Sequence, residues 1–526
     1  MHIRVPALLT IPIILTFTSF TPGQSLLIEH RNTPPLLLAD EPLNLMISPT
    51  EGVTSKTLVI RDFYDHVVFS RTWKGNECVK PIHLTLPLPR FGVFRVILTT
   101  GKPNGSIVEE TTFARIPDVR LTTPKPDSPF GIGAYYAMRF SPEQASVAAN
   151  IQNLIGAAWN REEFLWDIIE PEKDRWTWEK ADMAVRECAR NNILFLGLLD
   201  YWGKWAVPLA DESDVWFARY AAAVAKRYSP GAPFYQDEGL QPYPGIRHWE
   251  VWNEPATFWT GDGTRFGQLL KTASQSIRNA DPKASVFFSE ADETFNRDAL
   301  AAAGLDAFQG VTPHYYCPPR TPEQGGVDIQ MLTTPERFAA LGVRGKSFWV
   351  SEVGWHSTME PGQMRNQAVC LVRSYIYCLA AGMDKVFWYN FVNDTPDKNA
   401  HHFGLVNRED WTPRFGLGAY AAMVHFLEGA RFSRRVEILK PARIFLFSKG
   451  AGTVAVLWSA GPDGVLDAPL PDDTRLSDIM SNPLPPGPIP LRADPVYLEA
   501  PSTTPEGIEH IIRAGRITGI SPAHMR

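Results

Sequence analysis

Cysteine is scarce, with five (Cys78, Cys188, Cys317, Cys370, Cys378) among 526 residues. That is too few and too scattered for a disulfide framework. Cys370 and Cys378 fall two turns apart on one predicted helix, about 12 Å at 1.5 Å per residue, so they cannot pair with each other. No C-x-x-C or H-x-x-x-H spacing offers a metal site, so no metal is expected and the cysteines read as small apolar residues. Basic charge is not in excess either. With 51 Lys plus Arg against 57 Asp plus Glu, the net charge is −6. Nothing there draws nucleic acid or an anionic membrane. No G-x-G-x-x-G opens a helix, which removes the main sign of a bound dinucleotide, and no organic cofactor is expected. Beyond the N-terminus no apolar run reaches about 18 residues, so no spanning helix is expected in the body of the chain.

What is present is an ordinary globular composition, 44% hydrophobic and 21% charged, which excludes a disordered, collagen-like or coiled-coil chain. The length suits two to four domains at roughly 100–200 residues each. Aromatic residues are plentiful, with 16 Trp and 15 Tyr, and flat rings can stack on sugars or bases. Residues 1–25 read as a signal peptide. His2 and Arg4 give a basic start, Val5 to Phe20 is almost wholly apolar, and a short polar stretch follows. Export outside the cytoplasm is the expectation. The cleavage region lacks a clean A-x-A, so retention as an N-terminal anchor is the alternative.

The remainder divides into three pieces and a tail. Residues 29–118 alternate, as in Lys56-Thr-Leu-Val-Ile-Arg61 and Gly92-Val-Phe-Arg-Val-Ile-Leu98, and read as an all-β sandwich. A proline-rich joint, residues 122–129, ends it. From 130 to 432, eight short apolar runs alternate with helical stretches. The runs are predicted at 131–135, 154–158, 193–199, 248–252, 285–289, 310–314, 347–351 and 385–389. Eight strand-then-helix units in about 300 residues predict a (β/α)8 TIM barrel. Residues 433–500 alternate again and predict a second β domain, and 501–526 read as a loose tail.

In such a barrel the active site is built where strands end at their carboxyl side. Glu254, in Trp252-Asn253-Glu254-Pro255, follows the fourth run directly, and Glu352 ends the seventh. They stand 98 positions apart, or three strand–helix units. Two carboxyls facing each other across a cleft suit cleavage of a glycosidic bond. One holds a proton for the leaving oxygen while the other attacks the anomeric carbon as an anion. Mutual repulsion and burial would raise the acid's pKa, and a nearby cation would keep the nucleophile ionised.

These motifs resemble clan A of the retaining glycoside hydrolases, over the whole barrel. They are most similar to the family thirty-nine and family five types, with Glu250-Val-Trp-Asn-Glu-Pro255 closest to the former. The resemblance implies Glu254 as acid/base and Glu352 as nucleophile. It implies contact between Asn253 and the sugar 2-hydroxyl, and support of the nucleophile by Arg161 at the end of strand two. The His-x-Tyr motif after strand six matches His314 and Tyr316, and the strand-eight aromatic platform matches Trp388. The implied substrate is a β-linked oligosaccharide or polysaccharide, cleaved by double displacement.

Each residue also has a plainer reading. Glu254 suits a helix start. Arg161 has Glu162, Glu163 and Glu250 as rival partners. His314 and Tyr316 fit a polar barrel rim, and Trp388 fits a core. Trp202, Trp205, Trp259 and Trp355 lie on loops after strands, where sugar stacking and packing serve equally. Glu290, Asp292 and Glu293 are further acids after strand five. A non-catalytic carbohydrate-binding protein on a degenerate barrel is the alternative function.

Overall fold

The computed structural model describes residues 25–29, 35–39, 41–206, 213–397 and 399–519. The predicted leader, apart from Ser25, lies outside them. The chain divides into two compact units, one of the residues up to Arg115 with Asp410–Pro413, the other of Ile116–Glu409 and Arg414 onward.

In the first unit, side chains that alternate in the sequence alternate between core and solvent. Leu43, Leu45 and Ile47 on one strand, Leu58 and Ile60 on another, and Phe94, Val96 and Leu98 on a third all face one core. Two sheets enclose it. Leu26–Glu29, Leu43–Ile47 and Ile82–Leu86 form one, and a five-stranded sheet around Gly92–Lys102 and Ser55–Arg61 forms the other. This is the expected β-sandwich.

In the second unit eight parallel strands close into a barrel. Strand one is Phe130–Gly133, two Trp159–Glu163, three Leu194–Leu199 and four His248–Val251. Strand five is Ser285–Ser289, six Gly310–Thr312 with a short continuation at His314–Tyr315, seven Ser347–Val353 and eight Lys385–Tyr389. Strand eight pairs with strand one, and strand six with strand seven, so no edge is left. Strand two departs from expectation. The apolar run 154–158 begins at the last residue of the helix Pro142–Leu154 and continues as a buried loop, and the strand starts at Trp159. Its interior residues are polar, which is why the apolar run next to it was the more strand-like segment.

Alternation then decides what fills the barrel. Trp159, His248, Phe287 and Trp349 converge on the axis, with Trp349 centroids 5.0, 4.8 and 4.6 Å from the other three rings. Two residues further along strands two, four and seven, the same inward face carries Arg161, Glu250 and Ser351.

The C-terminal β region packs in the same unit as the barrel. Its five-stranded antiparallel sheet runs from Arg431–Arg435 through Ala442–Lys449, Gly452–Ser459 and Val496–Ala500 to Arg475–Ser477. Arg373, on the long barrel helix Pro361–Ala380, donates to the carbonyl of Ala493 at 3.1 Å and pairs with Glu323 at 2.9 Å. Trp458 donates to the same Glu323 at 2.9 Å, so one buried carboxylate ties sheet to barrel. The expected loose tail is corrected here. Thr504 caps a helix, Pro505–Ala514, whose Ile508 and Ile512 are fully buried in the β-domain core, and Arg516–Thr518 adds a strand. Two isoleucines four apart were enough to seat this helix. Among the described residues no helix is long and apolar enough to cross a membrane.

Candidate active site

The mouth of the barrel is organised by one guanidinium. Arg161 is fully buried in strand two. Its Nε donates to Glu250 at 2.6 Å, Nη1 to Glu352 at 2.6 Å and Nη2 to Asn253 at 2.9 Å. Nη1 also reaches the Tyr135 hydroxyl at 3.1 Å. Glu162, a rival partner by sequence, points to the other face and accepts from the backbone N–H groups of Tyr136 and Ala137 and from Asn160. Burial works against the Arg161 charge, but Glu250, Tyr135 and Glu352 outweigh it and hold its pKa well above the ordinary value. A buried arginine persists as a cation only with such partners.

Glu352 reaches this centre through a local irregularity. Strand seven shifts register between Val350 and Val353, so both Ser351 and Glu352 send side chains into the barrel mouth. A bulge re-aims a side chain in this way at the end of a strand. Glu352 is 7% exposed and accepts from Arg161, from Tyr135 at 3.2 Å, and from the hydroxyl of Tyr316. Burial pushes its carboxyl up. The His314 and Arg161 charges and the two tyrosine hydrogen bonds push harder, so its pKa lies below the usual value.

Glu254 faces it from strand four. Trp252 and Glu254 both adopt the left-handed region, at φ 68° and 43°, as does Tyr135 at φ 55° on the loop after strand one. Three non-glycine residues in that sparsely used region at one barrel mouth mark a backbone held for its side chains. A Cβ at Gly133 would stand 2.8 Å from the Tyr135 hydroxyl, so glycine there makes room for that ring. Glu254 is the more open carboxyl, its side chain 32% exposed against 9% for Glu352. A cleft of about 460 Å³ opens beside it, lined by His314, Glu290, Gln330, Thr333 and Arg337 among others.

His314 links the two acids. Ser351 donates its only hydroxyl proton to Glu250 at 2.9 Å, so its 2.9 Å contact with His314 is made by Nε2–H donating. The other ring nitrogen lies 2.9 Å from Glu254 Oε1 and 3.7 Å from Glu352 Oε2. One proton therefore occupies the Nδ1–Glu254 contact. Burial lowers the His314 pKa, but Glu352 and the Glu254 hydrogen bond reverse this and the net shift is upward. Donor atoms of Glu254, His314 and Glu352 all lie within 4.8 Å of one another. Between the two carboxyls that gap is shorter than the roughly 6.5–9.5 Å that leaves room for a water beside a bound sugar.

Of the residues marked by the sequence, Glu254, Glu352, Arg161, Asn253, His314 and Tyr316 converge. Trp388 does not. It is fully buried and donates its indole N–H to the carbonyl of Phe403 at 3.1 Å. Phe387 and Tyr389 take the opposite face, and the strand-eight aromatic at the site is Tyr389. It is partly exposed, with its ring 5.9 Å from that of Tyr135 and 6.1 Å from that of Tyr316. Trp355 is also buried, donating to Arg320. Trp202 and Trp259 pack on Trp252 at 5.1 and 4.9 Å. Asp292 caps a helix and Glu290 pairs with Arg337 at 3.1 Å. Tyr135, Ser351 and Tyr389, and Glu250 in the role of a second anchor, were not singled out. A charged Glu250 inside an apolar strand, in phase with His248, was the signal available for the last.

No family model and no curated protein matches the chain. Solved structures do. A family 39 glycoside hydrolase from the gut symbiont Bacteroides cellulosilyticus WH2 superposes with a TM-score of 0.70 at 21% identity, covering 88% of this chain and 98% of that one. A family 30 subfamily 8 xylanase from Clostridium acetobutylicum gives 0.48 at 13%, covering 70% and 95%. A family 30 endoxylanase from Clostridium papyrosolvens C71 gives 0.47 at 12%, covering 73% and 99%. In fold, the chain is similar to the family 39 structure over nearly the whole of that protein.

Proposed function

We propose that this protein is a retaining glycoside hydrolase acting on β-linked O-glycosides. The observation that carries the reading is the pairing of an ionised, fully braced Glu352 with the open Glu254, their facing oxygens within 4.8 Å of each other. The fold it has in common with a family 39 hydrolase supports the same reading. Glu352 attacks the anomeric carbon, its negative charge held by Arg161 and the hydroxyls of Tyr135 and Tyr316. The proton on the Glu254–His314 contact passes through Glu254 to the leaving oxygen. Water activated by Glu254 then releases the sugar from Glu352, with net retention. Asn253, fixed by Arg161 on one side and donating to the Tyr201 hydroxyl at 2.9 Å on the other, borders the reacting sugar. The cleft beyond Glu254 receives the leaving group. The apolar leader suits an exported enzyme acting on oligosaccharides or polysaccharides.

A panel of aryl β-glycosides and β-linked polysaccharides tests this, with Glu352→Ala run alongside. Turnover of any member that disappears in the variant is expected. Sugar binding without turnover across the panel would favour the non-catalytic carbohydrate-binding alternative.

A further inference from the structure

A second pair of carboxyls stands at the barrel mouth, and the chemistry above leaves it unused. Glu163 ends strand two, two residues beyond Arg161 and so on the same inward face. Asp200 directly follows strand three, in phase with the inward Leu196 and Leu198. Asp200 is fully buried, yet neither of its carboxylate oxygens meets a hydrogen-bond donor among the described residues. Buried carboxylates of this kind are normally satisfied. Elsewhere in the mouth they are: Glu250 and Glu352 each accept two or more hydrogen bonds. Glu163 is partly exposed. Of the cations near it, Arg161 is engaged by Glu250 and Glu352, and Arg139 by Asp394 at 3.0 Å. Burial raises both carboxyls, Glu163 to about 7; the charge of Glu352 adds to the Glu163 shift and that of Glu163 to the Asp200 shift.

What this corner lacks is protein hydrogen-bond donors, and Glu163 with the ionised Glu352 near it would repel a further negative charge. A sugar ring seated over Glu352 presents hydroxyls around its edge. We propose that Glu163, in the electrostatic neighbourhood of the enclosed Asp200, is the sugar-recognising group of the glycone end of the site, and that the glycone is a neutral sugar and not a uronic acid. This rests on the glycosidase reading and sharpens it to a substrate class. Glu163 touches the sugar, whereas the enclosed Asp200 acts on Glu163 only electrostatically and is a positioning residue.

The test uses the full-length protein and monodeoxy aryl glycosides of whichever neutral sugar the native chain turns over, with the matching uronide. In the native protein, removing one ring hydroxyl should lower kcat/KM at least about tenfold, since a site built to bind a hydroxyl rejects its deoxy analogue. In Glu163→Ala that one penalty should shrink to about twofold or less while the penalties for the other hydroxyls persist. Glu163→Gln, which keeps the side chain's shape, is read in the same way should the alanine variant fold poorly. Asp200→Asn should raise KM for the parent glycoside with kcat within about twofold, and should weaken the same single penalty, which a merely structural role would leave unchanged. A full set of deoxy penalties surviving in Glu163→Ala and Glu163→Gln, or turnover of the uronide on a par with the neutral glycoside, would overturn the proposal. If the native chain turns over nothing, the glycosidase reading fails separately. The pair is then read by calorimetric titration with xylose, glucose, galactose and glucuronate. Neutral-sugar binding that is lost in Glu163→Gln supports the assignment, and binding that is unchanged refutes it.

Discussion

At the floor of the barrel Lys385 points its ammonium at aromatic faces, 5.2 Å from the Trp159 ring and 5.8 Å from that of Trp349, with His248 against the same rings. One layer higher, Arg161, Glu250 and Glu352 are as deeply enclosed. Burial pushes Lys385 down to about 8 and His248 to about 4, both toward their neutral forms. The same burial fails to neutralise Glu352, whose pKa lies below the ordinary value, or Arg161, whose pKa lies above it. Depth is therefore not what decides charge in this barrel; counter-charges and hydrogen-bond donors are. The floor has rings where the mouth has partners, so the floor provides packing and the mouth a stabilised anion.

Breaking the mouth should have the largest effects. Glu352→Ala should lower kcat on the order of 10⁴-fold or more while leaving the circular dichroism spectrum native, as expected for loss of a nucleophile. Arg161→Met should be next, removing about 3–5 kcal/mol of stability in urea unfolding because two carboxylates lose their shared cation. It should also raise the pKa of Glu352 and move the acid limb of the kcat/KM profile to higher pH. The sign follows from linkage. A carboxyl lowered by its partners contributes stability that is complete above the unfolded value of 4.5 and fades as pH falls through the lower folded value. Without Arg161 that contribution disappears.

The floor should answer in the opposite direction. Lys385→Met should stabilise the protein by about 1–3 kcal/mol at pH 7 and leave kcat/KM unchanged. A lysine lowered to about 8 from 10.5 binds its proton less readily folded than unfolded, so stability of the native chain rises with pH across that window. The advantage of methionine should shrink over the same range in thermal melts taken from pH 7 to 10. Tyr316→Phe is the smallest change, removing one of three hydroxyl or guanidinium donors to Glu352. It should lower kcat/KM about tenfold, with a small upward move of the acid limb.

The same contrast explains what could be read from the residues. Seven barrel runs announced themselves because most of their residues, inward and outward, are apolar. Strand two was placed five residues early because Asn160, Arg161 and Glu162 are fully buried there, against every propensity for a strand interior. The partners that make this tolerable come from other strands and are invisible locally. Glu254 and Glu352 were legible through their motifs and their places at strand ends. The choice of Tyr389 over Trp388 depended on which side of strand eight faces inward, a phase that one aromatic run does not specify. Ser351 entered the site through a bulge, which no periodicity foretells. The C-terminal helix was missed because its apolar pair is short and its capping Thr504 lies in a stretch that otherwise resembles a tail.

The central claim is that Glu352 becomes covalently bonded to the sugar. Incubation with the 2-deoxy-2-fluoro aryl glycoside of the sugar turned over should trap that intermediate, because fluorine at C2 slows its hydrolysis. Intact-mass and peptide mass spectrometry should then find one added glycosyl group, on the peptide containing Glu352. An enzyme that turns over the parent glycoside but carries no label, or carries it on another carboxyl, would contradict the account.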